Sequence, residues 1–302
     1  MRESDSLTLP DGRILSFAIY GSPVPHASVF YFHSFASSRK EGKIFHTAAA
    51  KLGVRLIAPD RPGLGNSSFQ PGRTFLDWPK DVLALATHLK IQTFYVMGWS
   101  GGSPYTLACV KSLPTERLAG AAVVSGLYPV SLGTAGAMLG VRLLLLAGPW
   151  ASGLIGSVAD VLVGKAARDP DPKVYEKALA KAIDGRPDID KRAMKDERNW
   201  DGFVEGTREG YRQGGRGTGM ESKLNGSPWG FELADLKVGE GGVPLTLWHG
   251  ADDINCAPQT TLKAKDLMPG AKLHMKDGEG HVSYGFNHQE EILRELIGAA
   301  EI

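Results

Sequence analysis

The sequence predicts an α/β protein: a mostly parallel sheet flanked by helices, with a helical segment inserted late in the core. Short runs dense in Val, Ile, Leu, Phe and Tyr, each closed by glycine, proline or a charge, alternate with helical patterns. Such alternation implies parallel strands joined by crossover helices that cover both faces of the sheet. The interval from about residue 126 to 243 breaks the rhythm and is too long for one crossover helix. A chain of 302 residues can bury a large core, as one big α/β domain or a domain carrying an insert. The expected division is therefore a core from 1–126 and 243–302, with 127–242 forming the insertion and a return helix.

In chain order, Leu7 to Phe17 reads as a hairpin around an Asp11-Gly12 turn, the expected antiparallel edge of the sheet. Ser28 to Phe32, Val54 to Ala58, Thr93 to Met97, Ala121 to Ser125, Leu245 to Trp248 and Lys272 to Met275 read as short buried strands. Helical patterns cover Leu76 to Leu89, Ser103 to Val110, Pro258 to Leu267 and Gln289 to Ile297.

Within the insertion, Gly136 to Val163 is very apolar. A membrane span needs roughly 20 apolar residues without charge. Arg142, Gly148-Pro149, Gly153 and Asp160 interrupt this stretch, so no integral span is expected. The favoured alternative is a helix with one face on the core and one toward ligand; lying on a membrane surface is the lesser option. Asp169 to Arg198 is charged and helical, Gly214 to Gly219 reads as a flexible joint, and a return helix should end near Pro228-Trp229-Gly230-Phe231.

The 34 basic and 33 acidic residues nearly cancel, which argues against nucleic acid or an anionic membrane as partner. Two cysteines, Cys109 and Cys256, imply no disulfide framework and a reducing, cytoplasmic location. The first residues carry no signal-peptide pattern, and Ala299 to Ile302 carries no recognisable address. A homodimer is compatible with all of this.

The chemistry concentrates at Gly98-Trp99-Ser100-Gly101-Gly102, between the strand ending at Met97 and the helix opening at Ser103. That context marks a nucleophile elbow, a sharp turn that forces one serine into a strained backbone conformation. Serine at neutral pH needs a base, usually histidine, which in turn needs a carboxylate. Trp248-His249-Gly250-Ala251-Asp252-Asp253 follows one strand and Gly278-Glu279-Gly280-His281 follows the last, so the order is Ser, Asp, His. Asp252 competes with Asp253 for the acid, and His288 with His281 for the base. The histidines are scattered and the cysteines unpaired, so no metal cluster is legible and no cofactor is implied.

These motifs, together with Phe32-His33-Ser34-Phe35 and the loop Pro59 to Ser67, resemble those of the α/β-hydrolase superfamily, in its serine esterase/lactonase-like branch with a helical lid. The resemblance covers nearly the whole chain outside the insertion. It implies Ser100 as nucleophile, His281 as base and Asp253, three residues after Gly250, as the acid. It also implies an oxyanion hole from the amides of Gly101 and Phe35. Ser34 stands where the family usually has glycine and could bring a hydroxyl to the substrate. Trp99 is expected to pack beside the nucleophile strand and border the pocket, and Asp60-Arg61-Pro62-Gly63 to be structural.

Serine at the elbow points to acyl transfer. The expected substrate is a small ester, thioester or lactone with a hydrophobic portion. Cleavage of a carbon–carbon bond beside a ketone, lyase or cyclisation chemistry on a natural product, and a receptor role without turnover are the competing readings.

Overall fold

A computed structural model describes residues 1–298, so Ala299 to Ile302 lies outside the described residues. Eight strands form one sheet: β1 (Arg2–Thr8), β2 (Ile14–Gly21), β3 (Ala27–Phe32), β4 (Val54–Pro59), β5 (Phe94–Trp99), β6 (Leu118–Val124), β7 (Leu245–Gly250) and β8 (Lys272–Lys276). Their spatial order is β1-β2-β4-β3-β5-β6-β7-β8. β2 pairs antiparallel with β1 and β4, and the pairs from β4 to β8 are parallel. The hairpin is the expected edge. β8 departs from expectation: it is only half-buried, because it closes the opposite edge and has a neighbour on one side.

Alternating side chains feed two apolar layers. Phe30, Val96, Val123 and Leu247 face α2 (Trp78–His88), α3 (Ser103–Ser112) and α10 (Pro258–Leu267). Val29, Met97, Trp99 and Val124 face α1 (His46–Lys51) and α12 (Gln289–Leu296). Period-two alternation is what lets one strand serve both layers. The sequence patterns miss Arg39–Phe45 and α1, a tight 3-10 turn running into a short alanine-rich helix with few large apolar residues.

After β3 the chain crosses to β4 on one side, and later returns to β5 on the other. The carboxyl ends of β3 and β5 therefore flank a switch point, where open α/β sheets place their ligand sites.

Between β6 and β7 the chain runs through α4 (Leu139–Ala159), α5 (Lys165–Ala167), α6 (Pro172–Ala182), α7 (Asp188–Lys195), α8 (Glu197–Gly210) and α9 (Arg216–Gly226). By length and composition, Leu139–Ala167 is long and apolar enough to cross a membrane. Pro149 interrupts α4, and Ala151 leaves helical geometry at φ −119° and ψ 23°. One face of α4 packs on α9, and a second lines an internal cavity through Val141, Leu144 and Leu145. A third, unforeseen face exposes Leu143, Leu146, Leu154 and Trp150, the last 90% exposed.

Gly214 to Gly219 is not a loose joint. A Cβ on Gly215 would lie 2.0 Å from the Gly156 oxygen, on Gly217 2.2 Å from the Gly63 oxygen, and on Gly219 2.2 Å from the Ser152 oxygen. These glycines let α9 meet α4 and the core loop backbone to backbone. Glycine permits close approach as well as flexibility, and sequence alone does not separate the two.

Candidate active site

Ser100 sits at the end of β5 with φ +51°, in the left-handed region that costs an ordinary side chain about 1–3 kcal/mol. Close packing enforces it. A Cβ on Gly98 would lie 2.2 Å from Thr106 Oγ1, and one on Gly102 would lie 2.1 Å from the Phe32 oxygen. β3, β5 and α3 thus converge tightly enough that only glycine fits on either side of the serine.

The loop after β8 brings His281 over this turn. Its Nε2 is 2.9 Å from Ser100 Oγ and its Nδ1 2.7 Å from Asp253 Oδ2. With Asp253 ionised, Nδ1 carries the proton and donates to it, so Nε2 accepts from the serine hydroxyl. Asp253 Oδ1 also accepts from the amides of Asn255 at 2.7 Å and Cys256 at 2.9 Å. Burial alone would push the Asp253 carboxyl up. The nearby His281, with hydrogen bonds from His249 and His281, more than offsets this and holds it well below the usual carboxylate range.

His249 is a partner that motif reading passed over. It is fully buried, with Nε2 2.8 Å from the Cys256 oxygen and 3.1 Å from Asp253 Oδ2, and Nδ1 2.8 Å from Thr261 Oγ1. Two acceptors facing Nε2 place its proton there, leaving Nδ1 to accept from the threonine in the neutral ring. His249 therefore braces the carboxylate from the side away from His281.

The structure brings Ser100, His281 and Asp253 together and leaves their rivals outside. Asp252 is exposed. His288 pairs with Glu279 at 3.1 Å and Glu291 at 2.9 Å.

Phe35 N lies 2.9 Å from where a Cβ on Gly101 would sit, so the two expected oxyanion donors are neighbours at the serine. Among the described residues nothing accepts from the Phe35 amide. Ser34 lines the cavity, but its hydroxyl is committed to Glu41 Oε2 and its amide to Glu41 Oε1 at 2.7 Å. Its hydroxyl thus shapes the loop rather than facing substrate, a difference from expectation. Glu41 is invisible as a partner because it lies in the helical stretch the patterns missed. Trp99 lines the cavity and packs edge-on to Phe286 at 4.8 Å.

A buried ion-pair network carries the loop of His33 and Ser34. Arg61 bonds both their carbonyls and pairs with Glu221 of α9 at 2.5 and 2.7 Å. Tyr105 donates to the same carboxylate at 3.0 Å, and Arg73 donates to Tyr105 at 2.6 Å. Burial raises the Glu221 pKa, but Arg61 and Arg73 outweigh it and hold the group below its ordinary 4.5. A depressed carboxyl contributes stability above its unfolded pKa and loses it as pH falls through the folded value. Glu221→Gln strands Arg61 in the interior, so it is expected to destabilise by about 3–5 kcal/mol at pH 7. The gap to wild type should narrow as pH drops below 4.5 in denaturant titrations. An equal gap at all pH values would remove the charge from this account.

Asp190 of α7 accepts from the amides of Val282 and Ser283, each at 2.9 Å, and so ties the histidine loop to the inserted helices. The cavity measures about 390 Å³, within the usual range for small-molecule sites. Ser100 and His281 form its polar floor, and Leu144, Leu145, Ile183 and Phe203 its apolar roof. Cys256 also borders it, and burial pushes that thiol well above its ordinary value, keeping it protonated. Among the described residues no group of three or more His, Cys, Asp or Glu is placed to hold a metal ion.

A mostly parallel eight-stranded sheet, with a strained serine after β5 and a histidine loop after β8, defines an α/β-hydrolase architecture. The sequence matches the alpha/beta hydrolase family across residues 22–295. The chain belongs to that family and is an enzyme of it. It is 28% identical over 117 residues to the uncharacterized hydrolase YcgS of Bacillus subtilis (strain 168), a match spanning 39% of each chain. Among solved structures it is similar to the esterase RhEst1 from Rhodococcus sp. ECU1013, with TM-score 0.61, 20% identity and 99% of both chains covered. It is also similar to the enol-lactonase from Burkholderia xenovorans LB400, with TM-score 0.63 and 18% identity over 97% of this chain and 98% of that one. At such identities the structural likeness shows the fold.

Proposed function

We propose that the protein is a serine hydrolase that cleaves a hydrophobic small-molecule ester, thioester or lactone through an acyl-enzyme. The observation that supports this best is the unbroken chain Ser100 Oγ, His281 Nε2, His281 Nδ1, Asp253 Oδ2, with links of 2.9 and 2.7 Å. Ser100 Oγ attacks the carbonyl carbon while His281 takes its proton and Asp253 balances the imidazolium. The carbonyl oxygen becomes an oxyanion beside the Phe35 and Gly101 amides. Collapse expels the alcohol or thiol, which takes the proton from His281. Water then attacks the acyl-enzyme, again giving a proton to His281, and the acid leaves as Ser100 regains its hydrogen. The segment 127–242 acts as the lid, its apolar side chains favouring a hydrophobic acyl or alcohol portion. An esterase and an enol-lactonase among the structural neighbours agree with this choice of reaction.

A panel of 4-nitrophenyl esters, lactones and β-diketones tests the reaction type. Turnover of esters or lactones, with an acyl-enzyme on rapid quench and mass analysis, is the expected result. Cleavage of diketones alone, rearrangement without water uptake, or tight binding with no turnover would replace it by C–C hydrolase, lyase or receptor chemistry respectively.

A further inference from the structure

The roof of the cavity carries a cation that the reaction just proposed does not use. Arg186 lies in the short connection between α6 and α7 and lines the same cavity as Ser100 and His281. Its side-chain hydrogen bond goes to a neutral group, from Nη1 to Asn255 Oδ1 at 3.2 Å. Among the described residues no carboxylate comes within 4 Å of its guanidinium, whereas Arg61, Arg39 and Arg13 each hold a carboxylate at 2.8 Å or less. Of the two acids that influence it, Asp253 is committed to two imidazoles and two amides, and Asp190 takes the amides of Val282 and Ser283 through Oδ1 while its buried Oδ2 has no hydrogen-bond partner, yet neither forms an ion pair with it. Burial disfavours the charged form of Arg186, and those acids offset it only in part. A guanidinium presents a planar fork of donors that fits a carboxylate in two parallel hydrogen bonds. In a cavity whose walls are mostly apolar, among them Leu144, Leu145, Ile183 and Phe203, with Thr207, Ser222 and Asn225 as neutral polar groups, such a cation is costly unless something anionic meets it.

We propose that the cavity takes a substrate bearing a carboxylate in addition to its scissile ester, thioester or lactone bond, and that Arg186 receives that carboxylate. This rests on the hydrolase reading above. It narrows the substrate from a purely hydrophobic ester to an amphipathic half-ester, or a lactone acid, with an apolar spacer between the reacting carbonyl and the anion. Arg186 then acts on specificity, and Asn255 holds its guanidinium toward the cavity. The same asparagine's amide bonds Asp253, so anion site and candidate acid share one turn.

Binding to Ser100→Ala, which reports without chemistry, tests this by calorimetry with two matched pairs. One is the 4-nitrophenyl half-ester of glutaric acid against 4-nitrophenyl valerate, with the anion on the acyl side. The other is 4-(butyryloxy)benzoate against 4-methylphenyl butyrate, with the anion on the alcohol side. In at least one pair the anionic member should bind roughly tenfold to a hundredfold more tightly, the span expected for a hydrogen-bonded charge pair. Arg186→Met in the same background should erase that ratio, and Arg186→Lys should retain part of it. A purely structural role would weaken both members of a pair equally and leave the ratio standing. No anionic preference in either pair, or a preference that survives Arg186→Met, overturns the proposal. Labelling of the wild type by a fluorophosphonate is read separately: its failure counts against the hydrolase reading, while the binding ratios still decide the anion site.

Discussion

Ser100→Ala is expected to lower turnover by about 10⁴ to 10⁶-fold while the protein stays folded. The size follows from the geometry: the hydroxyl is the atom that His281 Nε2 faces at 2.9 Å, and the Cys256 thiol that also borders the cavity stays protonated. What remains should be the part of the rate that the oxyanion amides and substrate binding in the cavity supply without a nucleophile. Alanine also removes a small polar group without adding volume at a site that tolerates little, so thermal unfolding should move only slightly. A residual rate within tenfold of wild type would mean that another group attacks the substrate.

The second large effect belongs to the acid. Asp253→Asn keeps the volume but exchanges a carboxylate for an amide. The ring of His281 then loses the charge that fixes its Nδ1 proton, and the tautomer that can accept from Ser100 is no longer favoured. A loss of about 10⁴ in kcat is expected from this substitution. Asp252→Asn, one residue earlier but exposed, should leave kcat within roughly threefold, because exposed side chains away from special contacts contribute little. His249 separates this site from a minimal triad. With the His249 ring at 3.1 Å and two backbone amides already on Asp253, the carboxylate is held before substrate arrives. Steady-state kinetics on the two asparagine variants check the ranking, and a larger loss at residue 252 would reassign the acid.

The strands and most core helices were legible because period-two and helical apolar patterns are local. The elbow was legible because glycine at 98 and 102 marks where backbones converge. The residues that hold the site together were not. Arg61 and Glu221 are 160 residues apart, and nothing near either announces the other. Asp190 looked like one charge among many in a charged helix, and it became a tether only when α7 met the loop after His281. Periodicity can say that α4 is helical and apolar, but not that its surface is shared among α9, the cavity and solvent. The glycines at 214–219 gave a genuine signal with two physical meanings, and only packing chose between them.

The most direct test of the account is intact-mass analysis after reaction with a fluorophosphonate. Wild-type protein should gain the mass of one probe, Ser100→Ala none, and Asp253→Asn should label far more slowly than wild type. Equal labelling of wild type and Ser100→Ala would contradict the account, because the reactive hydroxyl would then lie outside the strained turn after β5.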